Sequence, residues 1–255
     1  MKAATDLLLQ EVRAEPADSR KRVFLAQLFI LSGQWERAAN QLAVLRELDA
    51  SAIPLSHAAT QLLHCERLRV EVFAGKRAPM VLGEPPAWIA ALIQALSAQA
   101  DGRVEQASAL RAQAYEAATA VPGSVNGEAF QWIADADSRL GPVLEVMLDS
   151  GYYWVPFERI RSITFESPTD IRDLAWLPAQ FVWDNGGSAV GYVPTRYPGS
   201  ESGDDGLMQA RRTDWSALDA TAFAGLGQRM LATDAGEYGL LDVRQIQLGT
   251  APADD

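Results

Sequence analysis

Gly33-Gln34-Trp35-Glu36-Arg37-Ala38 returns 69 positions later as Gly102-Arg103-Val104-Glu105-Gln106-Ala107. Both read Gly-x-apolar-Glu-x-Ala, and the separation is about two periods of a roughly 34-residue tetratricopeptide unit. The glycine permits a tight turn; the alanine leaves room for a facing helix. Before the first copy, Val23 to Leu31 is almost wholly apolar, as in a helix covered on most sides. After it, Trp35, Ala38, Ala39, Leu42 and Leu45 recur at three- and four-residue steps and mark one helical face. Ser32-Gly33 separates the two, with Gly33 as the expected C-terminal stop. A longer helix is expected over about Leu55 to Phe73. The Pro-rich stretch Arg77 to Pro86 follows, where proline prevents helix continuation. Residues 1–122 therefore read as an interrupted array of tetratricopeptide-like helical hairpins.

Composition changes near Val121-Pro122-Gly123-Ser124, a turn-like stretch. Five of seven Trp and five of six Tyr lie beyond it, and aromatic and β-branched residues suit strands. Leu144, Val146 and Leu148 alternate with Val143, Glu145 and Met147; Ile163 and Phe165 alternate with their neighbours. Phe181-Val182-Trp183 and Ala189-Val190-Gly191-Tyr192 flank Asp184-Asn185-Gly186-Gly187, a hairpin turn signal. Leu240 to Leu248 is a late strand candidate, and Pro198 to Gly206 reads as a surface loop. Short strands with close turns predict a small barrel or a strongly bent sheet. The expected fold is α+β: helical hairpins over 1–122, then an acidic, β-rich, small-barrel-like domain over 123–255.

Charge is uneven. Up to Pro122 thirteen Lys/Arg balance thirteen Asp/Glu; from Gly123 onward nine Arg and no Lys face twenty Asp/Glu. All of the net −11 thus belongs to the second half. Such a surface repels phosphate, so nucleic acid and anionic membranes are not expected partners. No apolar run approaches the roughly 20 residues a bilayer needs. One cysteine, Cys65, precludes an internal disulfide framework. With an acid already at Asp6 and no signal pattern, the chain is expected in the cytoplasm.

Motifs for catalysis and metals fail on inspection. His57, His64 and Cys65 lack the converging ligands that zinc needs. Asp135-Ala136-Asp137-Ser138-Arg139 starts like a calcium loop, but Arg139, Leu140 and Val146 stand where acid, glycine and the closing glutamate are required. Residues 199–203 centre on Glu201 rather than serine, and Gly225-Leu226-Gly227 lacks a third glycine. No catalytic residue, metal or cofactor is expected. The rival reading is a hydrolase or transferase using Asp135, Asp137, Arg172 and Asp173 in a deep pocket; a third is a self-associating module with a self-complementary apolar patch.

Three segments mix large aromatics with arginine and acids: Phe130 to Pro142, Arg172 to Ala179, and Pro194 to Ser200. Trp and Arg together make protein-binding hot spots; equally, the rings can fill a core while Arg–Asp pairs brace loops. Trp132-Ile133-Ala134-Asp135-Ala136-Asp137-Ser138-Arg139-Leu140-Gly141-Pro142, Tyr153-Trp154-Val155-Pro156-Phe157, Arg172-Asp173-Leu174 with Trp176 and Pro178-Ala179, and Arg196-Tyr197-Pro198-Gly199-Ser200 resemble the ImpE/TagJ family of bacterial type VI secretion accessory proteins. Arg77-Ala78-Pro79 and Leu82 to Trp88 fit it as well. The resemblance runs from about Leu7 to about Leu248. It implies a non-enzymatic adaptor of the contractile sheath. Its partners would be the small sheath subunit (TssB type), through a helix of that subunit, and the ClpV-type ATPase that recycles the sheath. The residues singled out for protein binding are Trp132, Asp135, Asp137, Arg139, Trp154, Arg172, Asp173, Trp176, Arg196 and Tyr197, together with the helical groove. The amphipathic segment Asp6 to Arg13 is either the opening helix of the array, packed on Phe24 to Leu31, or a docking element.

Overall fold

Ala- and Leu-rich stretches with period-3.6 apolar faces build six helices, seen in a computed structural model that describes residues 1–149 and 151–249. They are α1 (Lys2–Ala14), α2 (Ser19–Leu31), α3 (Trp35–Leu48), α4 (Ile53–Phe73), α5 (Ala87–Ala100) and α6 (Val104–Ala117). Local chemistry sets their ends. The Asp18 carboxylate caps α2 by accepting from the N–H groups of Arg20 and Lys21 at 3.0 and 3.1 Å. Gly33 takes φ +67°. There its N–H donates to the Ile30 carbonyl (3.2 Å) and the Gln34 N–H to the Phe29 carbonyl (2.8 Å), the paired bonds of a Schellman stop. Gly102, at φ +76°, repeats this with Gly102 to Gln99 (3.0 Å) and Arg103 to Ala98 (2.8 Å). The recurring hexapeptide is thus one turn built twice, between α2 and α3 and between α5 and α6. Ala38, Leu42 and Leu45 are buried on α3, while α1 packs on α2 through Leu8 and Val12. The first reading of Asp6 to Arg13 describes its place.

The regular structure in the rest of the described chain is chiefly strand: β1 (Met80–Val81), β2 (Gly123–Val125), β3 (Glu128–Phe130), β4 (Ile133–Asp135), β5 (Val143–Leu148), β6 (Gly151–Pro156), β7 (Ile160–Phe165), β8 (Trp176–Trp183), β9 (Ser188–Pro194), β10 (Thr213–Ala217), β11 (Phe223–Gly227), β12 (Met230–Thr233), β13 (Glu237–Gly239) and β14 (Gln245–Leu248), with a short helix α7 (Asp205–Met208). Nine strands form one sheet in the order β1-β6-β5-β9-β8-β7-β14-β2-β3, antiparallel except for β1 on β6. Among the described residues its end strands, β1 and β3, do not pair with each other, so the sheet is open. β13-β12-β4 and β10-β11 form smaller ribbons. The Asp184–Gly187 turn joins β8 to β9 as its composition predicts, with the Trp183 N–H donating to the Gly187 carbonyl (2.8 Å).

Three local expectations need correction. The Pro-rich stretch contains β1, created by pairing with β6 rather than by local propensity. The turn-like residues at Gly123 begin a strand, because the Asn126-Gly127 turn folds them onto β3 and β14 from the far end of the described chain pairs with their other side. Leu240–Asp242 is a 3-10 turn, and only Gln245–Leu248 is strand.

Alternation along β5 assigns its side chains to two cores. Leu144 and Val146 join an apolar cluster with Val155, Phe157, Ile163, Phe181 and Ile246. Val143 and Met147 join the helices, in a cluster that also takes Tyr152, Trp154, Trp176 and Tyr197. Glu145 stands between Val143 and Met147 and faces the helices with them.

Candidate functional site

Glu145 is a carboxylate at the centre of a strand that is covered on both faces, and it is fully buried. Charge in that position needs partners, and the helical half supplies one. Arg69 of α4 donates to Glu145 from Nε (2.6 Å) and from a terminal nitrogen (3.0 Å), a two-pronged bond. The Tyr152 hydroxyl donates to Glu145 at 2.5 Å, and the Trp154 indole N–H donates to that hydroxyl at 2.8 Å. Arg229, also fully buried, donates to both Glu145 and Asp135, and its Nε donates to the Pro194 carbonyl at 2.8 Å. Asp135 further accepts from the Tyr197 hydroxyl and the Asp137 N–H, each at 2.9 Å. On the helical side, Glu66 accepts the Trp176 indole N–H at 2.8 Å. Arg69 also donates to the Arg196 carbonyl at 2.7 Å, and the Arg196 guanidinium donates to the Leu31 carbonyl at the C-terminal end of α2 at 2.8 Å.

The electrostatics follow from burial and neighbours. Burial alone would raise the Glu145 carboxyl; the guanidiniums of Arg69 and Arg229 outweigh it and hold the group at about 2. Asp135 is pushed up to about 6 by burial, against the pull of Arg229 and with a further push from Asp137. Burial lifts Tyr152 and Tyr197 well above the usual tyrosine range, so both remain protonated donors to the carboxylates beside them. Burial lowers Arg196 to about 10, still cationic at neutral pH.

The ten residues singled out in the sequence divide by exposure. Asp135, Asp137, Trp154, Asp173, Trp176, Arg196 and Tyr197 are buried. Asp137 pairs with Arg139 and accepts the Gly225 N–H at 2.9 Å. Asp173 closes a capping box with Asp170 around a 3-10 turn, Ile171–Leu174, that packs on α2; Gln27 of α2 donates to Asp170 at 2.7 Å. Trp132 is exposed, and Arg139 and Arg172 are half-buried. Trp176 and Arg196 bond directly to the helical half and the Trp154 ring packs near Phe73, so these buried groups help tie the two halves together. Five members of the network escaped the sequence reading: Glu66, Arg69, Glu145, Tyr152 and Arg229. Glu145 carried a usable signal, a lone acid inside an apolar strand. Arg229, between Gln228 and Met230, carried none.

At the heart of this junction, between Glu66, Arg69, Arg196 and Glu201, is a cavity of about 10 Å³, room for one water. His57 and His64 are exposed, and Cys65 is buried with its thiol pushed up to about 12. Asp135 and Asp137 are committed to Arg229 and Arg139. Among the described residues, no three His, Cys, Asp or Glu side chains are placed to hold a metal, and no helix is long and apolar enough to cross a membrane.

The structure thus defines an interlocked α+β scaffold: a helical-hairpin array joined to a mixed sheet through buried charge. The family model described as ImpE protein matches residues 127–247. The chain is 48% identical over 244 residues to the type VI secretion system accessory component TagJ of Pseudomonas aeruginosa (strain PAO1), covering 95% of this chain and 85% of that protein. The X-ray crystal structure of protein VPA1032 from Vibrio parahaemolyticus superposes with a TM-score of 0.90 at 26% identity, covering 99% of this chain and 95% of that one. The chain belongs to the ImpE/TagJ family of type VI secretion accessory proteins.

Proposed function

We propose that the protein is a non-enzymatic adaptor that binds the small contractile-sheath subunit (TssB type) through a helix of that subunit and links it to the ClpV-type recycling ATPase. The observation that carries the non-enzymatic reading is the closure of the charge network. Of the rival's four residues, Asp135 and Asp137 are each satisfied inside the chain, Asp173 caps a turn, and Arg172 lies against Asp170 and Asp173. A reaction centre needs such groups to converge on a space that a substrate can enter.

A seat for a helix is available on the first hairpin. Leu7 is 60% exposed and Phe24 44% exposed, and with Ala4, Leu8, Glu11, Arg20 and Lys21 they line an open groove of about 360 Å³ between α1 and α2. A groove with apolar floor and charged rim suits the i, i+3, i+4 anchors of an amphipathic helix. The solvent-reaching motif residues Trp132, Arg139 and Arg172 are proposed as additional contacts, with the seven buried ones holding the scaffold that presents them.

Calorimetric titration of the purified protein with the small sheath subunit, intact and lacking its candidate helix, tests this reading. Saturable binding that disappears with the helix, and that weakens in Leu7→Glu or Phe24→Glu protein of unchanged fold, is expected. Absence of binding with both proteins folded would sink it.

A further inference from the structure

Among the described residues strand β10 has a single neighbour. It pairs with β11 in unbroken antiparallel register from Thr213 opposite Gly227 to Ala217 opposite Phe223. Two bonds flanking the ribbon fix the phase of its ladder: the Leu218 N–H donates to the Ala222 carbonyl at 2.8 Å, and the Gln228 N–H to the Arg212 carbonyl at 2.9 Å. Bonded and non-bonded pairs alternate in such a ladder. Asp214 and Ser216 therefore face β11, whereas Thr213, Trp215 and Ala217 turn their N–H and C=O groups outward. Among the described residues none of these six groups meets a backbone partner outside the ribbon. The strand is exposed from Asp214 to Ala217. Proteins ordinarily blunt such an edge with lysine, proline or a bulge; β10 has none of these.

Two exposed aromatics lie on one face of the ribbon, Trp215 on the edge strand and Phe223 behind it on β11. Trp215 is 42% and Phe223 44% exposed. Phe223 stands opposite Ala217, which places it diagonal to Trp215 on the same face. Trp215 is held in position by the Tyr197 ring, 5.7 Å away. Gly225, opposite Trp215, makes that contact possible, because a Cβ there would strike the Tyr197 ring at 2.2 Å. The result is a row of backbone donors and acceptors beside a fixed aromatic shelf.

Charge selects the occupant. The half that carries β10 has nine arginines against twenty acids. Among the described residues, each of those arginines except Arg211 already engages its own chain. A second copy would bring the same excess of acid and be repelled; a basic segment would be attracted. We propose that the outer edge of β10 is a docking site for an extended, net-basic segment of a partner protein, which adds as a further strand and lays an apolar side chain beside Trp215 and Phe223. This mode is strand addition, on elements other than the α1–α2 groove, and it stands whether or not the sheath subunit binds there.

The probe is a synthetic peptide of alternating lysine and valine with one central phenylalanine, added to the full-length protein. Amide hydrogen exchange at Thr213, Trp215 and Ala217 is followed by NMR. At about ten times its dissociation constant the peptide slows exchange at these three amides about tenfold. The same peptide with glutamate for lysine, or with proline at its centre, leaves them unchanged. Ala217→Pro removes one outward N–H while keeping the bonds to β11, and it weakens the peptide. Unchanged exchange at these amides with saturating lysine peptide overturns the proposal. Equal slowing by the glutamate peptide overturns the charge argument. Protection without peptide, accompanied by a dimer in sedimentation, assigns the edge to a second copy instead. If circular dichroism shows Ala217→Pro misfolded, the glutamate and proline peptides on wild-type protein decide alone.

Discussion

Arg229→Met takes a cation out of the centre of the junction while leaving its two carboxylates in place. Glu145 keeps the two-pronged bond from Arg69 and the Tyr152 hydroxyl. Asp135 keeps only neutral donors, the Tyr197 hydroxyl and the Asp137 N–H. The loss therefore settles on Asp135. Removing one partner of a fully buried ion pair destabilises by about 3–5 kcal/mol, and Arg229 is fully buried between both of its acids. Asp135, already at about 6 in the intact protein, moves higher without Arg229 and escapes the unpaired charge by taking a proton. A carboxyl whose folded value exceeds its unfolded value of about 3.9 binds protons better in the folded state, so its contribution to stability is lost as pH rises through the folded value. The deficit of the variant should thus widen above pH about 6. Urea unfolding followed by circular dichroism at about pH 5 and about pH 8 reads this difference. Adding Asp135→Asn should recover about 1–3 kcal/mol at the higher pH, since neighbouring members of a network do not act additively. A loss below about 1 kcal/mol at the higher pH, or one that does not change with pH, would refute the assignment of the unpaired charge to Asp135.

Other expectations follow from single positions. Gly33→Ala should cost more than Gly102→Ala in thermal melts. Both positions have positive φ, worth about 1 kcal/mol to a residue with a Cβ, but the new methyl at Gly33 would meet Glu201 Cγ at 2.6 Å while that at Gly102 meets nothing. Trp176→Phe removes the indole donor to buried Glu66 and should lower stability by about 1–3 kcal/mol, measured as a shift in the urea midpoint. Cys65, buried and with its thiol held up at about 12, should resist a thiol reagent in the folded protein and react fully once the chain is unfolded.

The helical hairpins were legible because their signals are local. The period of Trp35, Ala38, Leu42 and Leu45, and the glycine after each first helix, act within a few residues of where they stand. The Asp184–Gly187 hairpin was legible for the same reason. β1 was not, since it exists only through a partner far along the chain, β6; β2 pairs with distant β14 but also carries a local signal, the Asn126-Gly127 turn that folds it onto β3, which the turn-like reading of Val121 to Ser124 passed over. The candidate site is a different case. Trp, Arg and Asp in one segment describe equally a surface that grips another protein and an interior that grips its own. Trp154 and Trp176 proved to be the second kind, and composition has no means of telling them apart. Glu145 could have been suspected from its apolar flanks; Arg229 becomes meaningful only when β4 and β5 bring Asp135 and Glu145 to it.

The bond between Arg69 on α4 and Glu145 on β5 also bears on how such a chain can evolve. In a regular helical-hairpin array each repeat contacts only its neighbours, so the block needs nothing from the rest of the chain. Here the block carries half of a charge pattern whose other half is written 76 residues downstream. Grafted elsewhere, it would arrive with an arginine parted from Glu145 and left with only Glu66, 3.5 Å away on its own helix. The residues at positions 66, 69, 135, 145 and 229 are consequently tied into one unit of inheritance. Among descendants of this chain they should be kept as a set or replaced as a set, and the array should pass from one lineage to the next only in the company of its sheet.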